Sequence, residues 1–238
     1  TADSAPINLT HHFLIAMPGL EDAIFSKSVV YLCEHSERGA LGLVINKPSD
    51  LSMRTLFEKV ELSLQRDDIA AQPVLRGGPV HTERGFVLHE PMSGVSADAP
   101  AATDASHAPQ DARPDATPEH APNEPAEEKA LREVSGVEEA DSAYASTLRI
   151  PGGLEMTTSK DVLEALASGA GPKRVLISLG YAAWGQGQLE SEIAENSWLT
   201  VGADTRIIFD TPIEQRYEQA MGLLGLQPWM ISKDVGHA

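Results

Sequence analysis

Residues 96–145 divide this chain and limit what it can fold into. They hold 14 alanines, 6 prolines, 12 acidic residues and 3 basic ones, and Tyr144 is their one aromatic side chain. A stretch so poor in large apolar groups cannot bury enough surface to offset the entropy of ordering, so it is expected to be a disordered acidic insertion. Residues 1–95 and 146–238 are left to fold. These 188 residues carry only −8 of the chain's formal −17. They suffice for one globular domain assembled from both segments.

The first segment reads as strands at 13–18, 28–35 and 41–46, short runs of Val, Ile and Leu separated by Gly, Pro and Ser, with a tight turn at 36–39. Met53, Leu56, Phe57 and Val60 then recur at helical spacing. Strand-like runs at 73–76 and 85–89 flank the turn Gly77-Gly78-Pro79. The second segment opens with a strand at 147–150. A helix follows, with Thr158 and Asp161 at its start, Val162, Leu163 and Leu166 on its apolar face and Gly169 as its stop. A buried strand is expected at 175–179, a helix at 188–195 and a strand at 206–209. Thr211-Pro212-Ile213-Glu214 predicts a last helix, with Ile213, Tyr217, Ala220, Met221 and Leu224 facing inward. The fold class is therefore α/β (α+β): a mixed β-sheet core, sandwich-like, with helices packed on it.

Apolar runs reach about five residues, far short of the roughly 20 that span a bilayer. One cysteine excludes an internal disulfide framework. The start of the sequence lacks the basic flank and long apolar core of a secretory signal, so a cytoplasmic location without membrane attachment is expected. The acidic balance disfavours nucleic acid as a partner, because affinity for phosphate backbones comes largely from Lys and Arg.

Several blocks together carry a family resemblance: FLIAMPG at 13–19, SVVYLCEH at 28–35, GLVINKP at 42–48, RGGPV at 76–80 and RGFVLH at 84–89. It continues through SKD at 159–161, LGYAAWGQGQLE at 179–190, NSWL at 196–199 and GHA at 236–238. With them the chain resembles the YqgE/AlgH family of bacterial proteins, over nearly all its length outside 96–145. The resemblance implies a sandwich-like α/β domain of the bacterial cytosol. Through the family's link to alginate production it also implies a transcriptional regulator. The sequence shows no helix-turn-helix pattern to support DNA binding, and the long acidic insertion departs from the usual pattern of that family.

Two groups of residues carry candidate chemistry. Strand alternation places Tyr31, Cys33 and His35 on one face. There Cys33 is either a small apolar core residue or, activated by His35, a nucleophile or redox sensor. The segment 181–190 is the better ligand site, lying where a strand ends and a helix begins. Trp184 offers a flat apolar surface, while Gln186, Gln188 and Glu190 offer hydrogen bonds beside Tyr181. Asn46, Lys47, Arg76, Gly77, Gly78 and Arg84 complete the candidate set if the fold brings them near. The glycines at 185 and 187 are a weak match to a phosphate-cradling loop, since Glu190 occupies the third glycine position. No cofactor motif, metal-ligand spacing or Gly-x-Ser-x-Gly elbow is present. The expected function is a non-catalytic regulatory or interaction protein, binding a partner or small molecule in a cleft. The alternatives are thiol chemistry at Cys33 and transcriptional control.

Overall fold

The computed structural model describes residues 7–92, 143–227 and 230. Most of the predicted insertion, and the motif at 236–238, lie outside them. The architecture is a curled mixed sheet with helices on both faces, as the sequence led us to expect. Its central strand is β9 (Val175–Gly185). Along one edge β9 pairs antiparallel with β6 (Val80–His89). Along the other it pairs first with β5 (Pro73–Arg76), in the sheet's one parallel contact among the described residues, and then antiparallel with β3 (Gly39–Val44). Beyond β3 lie β2 (Val29–Ser36), β1 (His12–Ala16) and β10 (Trp198–Gly202). Beyond β6 lie β8 (Leu154–Thr157) and β7 (Thr147–Ile150), and β4 (Pro48–Ser52) pairs with β5.

One face of the sheet carries a continuous core that runs from Phe13, Ile15 and Tyr31 to Phe86, Leu88 and Met156. It is closed by α5 (Thr205–Phe209) and α6 (Arg216–Leu223) through Ile207, Ile208, Tyr217, Ala220 and Met221. The other face carries two separate cores. Leu14, Val30, Leu32, Trp184 and Trp198 pack with Leu189 of α4 (Gln188–Ala194). Val74, Val87, Val175 and Ile177 pack with α1 (Met53–Lys59), α2 (Asp67–Ala70) and α3 (Lys160–Ala167). The stripe read for α1 faces this core. Its fully buried Phe57 is worth roughly 2–3 kcal/mol of burial.

The structure revises four readings. Residues 206–209, read as a strand, form α5. The Asp204 side chain accepts from the Arg206 amide and opens a helical turn, and paired Ile207 and Ile208 suit either a strand or a short helix. The strand read at 175–179 extends to Gly185, and β4, β8 and β10 add three strands with no strand reading. The cap of α3 is Ser159 rather than Thr158. Thr211 does not cap: its hydroxyl donates to the Arg206 carbonyl, and the chain enters α6 through a 3-10 turn at Ile213–Gln215. Tyr144, compositionally part of the insertion, packs edge-on against His89.

Two irregularities set which side chains face which core. In β9, Leu176 faces the continuous core while Val175 and Ile177 face the opposite one. Past Gly180 the order inverts: Tyr181 packs on the continuous core, and Ala182 and Trp184 lie on the other face. Gly180 adopts φ +73°, and a Cβ there would come within 2.6 Å of the Gly78 carbonyl oxygen and 2.9 Å of that of Val80. In β2 the register slips between Leu32 and Glu34, leaving Cys33 as the extra residue. Glu34 then pairs with Leu41 of the continuous core, while His35 pairs with Ala40 of the opposite one. Glu34 is thus turned toward apolar surroundings, and its Oε2 has no hydrogen-bond partner among the described residues. Burial pushes its carboxyl up to about 7, against the opposing pull of the Arg38 charge.

Gly180→Ala is expected to destabilise the fold by about 2–4 kcal/mol, through left-handed strain plus the backbone clash. Gly202→Ala, with open space around its Cβ, should stay within about 0.5 kcal/mol in the same urea titration. Glu34 makes a second prediction. A carboxyl whose folded pKa lies above its unfolded value lowers stability as pH rises from near 4.5 toward 7. Glu34→Gln should remove that loss. Discounted for partial exposure, it should gain about 1 kcal/mol over the native protein at pH 8 and little at pH 4.

Candidate functional site

The ends of β3 and β5 lie side by side: the Val44 amide donates to the Gly77 carbonyl, and the Arg76 amide to that of Lys47. The chain leaves both strands at this point, and a cleft of about 650 Å³ opens between them. Val44, Leu179, Ala23 and Ile24 supply its apolar walls, while Lys47, Arg76, Ser49 and Thr82 supply polar groups. Asn46 fixes the geometry without lining the cleft. Its Oδ1 accepts from the Val29 amide at 2.8 Å and its Nδ2 donates to the Lys27 carbonyl at 2.8 Å. Lys47 Nζ donates to the Ser26 carbonyl at 2.6 Å, which pins the same loop over the cleft.

Charge in this cleft is under-compensated. Burial, with help from the neighbouring Lys27 charge, holds the Lys47 ammonium below the usual lysine range. Arg76 is 66% exposed in its side chain, and its nearest carboxylate, Asp50, stands 3.8 Å away and fully exposed. Such a pair contributes little and leaves most of the guanidinium free to meet a ligand. Gly78 completes the wall. A Cβ on it would lie 2.2 Å from the Tyr181 carbonyl carbon, so only a bare backbone passes this close to β9. The glycine pair therefore serves strand packing beside the cleft.

The remaining candidates are dispersed. Trp184 is 5% exposed and is a core residue, packed edge-on with Trp198, its Nε1 donating to Glu192 at 3.0 Å. Its ring presents no ligand surface. Gln188 accepts from the Gly185 amide and donates to Glu192. Glu190 accepts from His35 Nε2 at 2.9 Å. Tyr181 stacks on His81 and meets Phe86 edge-on, on the far side of the sheet from Trp184. Arg84 is half-buried on β6 and does not line the cleft. Lys47, Arg76 and Gly78 are thus brought together, and 181–190 is not part of their site.

Cys33 and His35 are not a pair. The β2 bulge sends them to opposite faces. Both ring nitrogens of His35 are occupied, Nδ1 accepting from the Leu9 amide and Nε2 facing Glu190. Cys33 is 1% exposed, and burial drives its thiol far above the usual range, the reverse of activation. No group of three or more His, Cys, Asp or Glu among the described residues is placed to hold a metal ion. No described helix is long and apolar enough to cross a membrane. Arg216 escaped the sequence reading: it is a buried cation on the inward face of α6. Its position between Ile213 and Ala220 on the apolar stripe was the available signal.

The chain matches the DUF179 family model, described as AlgH-like, over residues 13–120 and 122–229. A UPF0301 protein of Paracidovorax citrulli is 65% identical over 237 residues, covering 100% of this chain and 99% of its own length. One from Delftia acidovorans is 58% identical over 238 residues, covering both chains fully. These alignments extend across residues 96–145. The solution structure of the AlgH protein from Pseudomonas aeruginosa superposes with a TM-score of 0.63 at 39% identity, covering 100% of each chain. A crystal structure from Corynebacterium diphtheriae, 18% identical, shares the fold with a TM-score of 0.56 over 92% of this chain and 89% of that one. By model match, relatives and fold, this chain belongs to the AlgH-like family.

Proposed function

We propose that this is a non-catalytic binding protein of the cytoplasm whose cleft at the ends of β3 and β5 takes an anionic small molecule and so regulates or recruits a partner. The observation that carries this reading is the convergence of Lys47 and Arg76 on one cleft with apolar walls. A desolvated ammonium and an almost unpaired guanidinium favour an anion, and the walls of Val44, Leu179 and Ile24 favour an apolar body attached to it. The volume falls within the roughly 300–1,000 Å³ usual for small-molecule sites. Thiol chemistry is the weaker reading, because Cys33 is sealed, burial opposes its ionisation, and His35 faces the other side of the sheet. Direct DNA control finds little support in a chain of formal charge −17.

The test is a thermal-shift and calorimetric screen with inorganic phosphate, pyrophosphate, nucleotides and acyl phosphates. A ligand at about 100 times its Kd should stabilise the protein by about 2.7 kcal/mol. Arg76→Ala and Lys47→Ala should each weaken that ligand about tenfold or more, with unfolding midpoints otherwise little changed. Affinity should also fall with added salt. If no anion raises the midpoint, or if both variants bind as the native protein does, the reading fails.

A further inference from the structure

A second cavity lies elsewhere in the molecule, between the start of β9, β5 and the loop joining α5 to α6. Its volume is about 290 Å³, close to the lower bound for small-molecule sites, roughly 300 Å³. Its walls are as polar as they are apolar: Leu75, Leu176, Ile208 and Ile213 supply apolar side chains, and Gln72, Asp210, Thr211 and Arg216 supply polar ones. Arg216 is 7% exposed. Its Nε donates to the Thr211 carbonyl at 3.0 Å and its Nη1 to the Ile45 carbonyl at 2.5 Å. Nη2 has no partner among the described residues, and it is not one of the unpaired polar atoms sealed within the protein.

A buried cation normally has a carboxylate beside it, because neutral carbonyls do not offset the loss of hydration. Arg216 has no ion pair with a described residue. Glu214 attracts it only from an exposed position, and burial pulls its guanidinium down to about 10. The one acid lining the cavity, Asp210, is held by Arg174 at 2.8 Å. The walls thus contain one uncompensated positive charge beside apolar side chains. We infer that this cavity is a site for a small monocarboxylate, its carboxylate on Arg216 and its branched or aromatic body against Leu75, Leu176, Ile208 and Ile213. A dianion such as phosphate is a poorer fit, since its second charge would face Asp210 and apolar walls without a counterion. The site is separate from the Lys47–Arg76 cleft and does not rest on the function proposed for it.

Isovalerate and phenylacetate are the probes, with isovaleramide and phenylacetamide as neutral counterparts of the same shape. In amide NMR titrations of the full chain, at least one acid should shift residues 208–211, 213 and 216 saturably while its amide does not. Arg216→Lys should weaken that acid about tenfold or more, because the planar fork is lost while the charge remains. Ile213→Trp, which fills the cavity and leaves Arg216 in place, should abolish binding while the remaining spectrum stays folded. Lys47→Ala with Arg76→Ala should leave it intact, which separates this site from the cleft. The inference is overturned if neither acid shifts these residues, if the amides bind equally well, or if Ile213→Trp binds as the native protein does.

Discussion

The fold depends on one strand being able to serve different neighbours along its length. β9 takes β6 on one edge and, on the other, β5 and then β3. A regular strand would keep the same face toward the same layer throughout. Gly180 breaks that rule, so the start of β9 packs against the α1–α3 layer and its end against α4, both from the same side. The same glycine lets the Gly77–Gly78 segment approach closely enough for β5 to end where the cleft begins. The switch of β9 between the two outer cores and the position of the candidate site both follow from this backbone inversion.

Much of this was legible in the sequence. Short Val- and Ile-rich runs marked β1, β2, β3 and β5, because strands buried on both faces read as continuous apolar runs. Helical spacing marked α1 and α3. Other features left no local trace. α5 holds five residues with two adjacent isoleucines, a pattern without a distinguishing period. The bulge at Cys33 is set by the register of β3, which strand alternation alone does not reveal. That single extra residue separated Cys33 from His35.

The same distinction governs the sites. Lys47, Arg76 and Gly78 stand out in sequence as charged or Gly-rich positions at strand ends, and the fold gathers them. Trp184 looks like a ligand platform in sequence, but the extension of β9 buries it. Arg216 shows the converse case: a charge on the apolar side of a helix carries no motif, and only the fold shows that it is buried. Both cavities place isolated positive charge within a strongly acidic chain. The long-range field of such a molecule opposes the approach of small anions, and local desolvation at each site must outweigh it.

The strand order also bears on how the chain is made. β1, β2 and β3 form a meander, and β4 pairs with β5, but β6 finds both its neighbours, β8 and β9, only in the second segment. During synthesis the N-terminal half therefore emerges with the edge of β3 exposed and β6 unpaired. It must wait for β9, whose pairing with β3 joins residues more than a hundred positions apart. Open edges of this kind are where chains pair wrongly. The stretch between β6 and β7 lengthens that wait in time while adding little to the entropy of closure, which grows only as the logarithm of loop length.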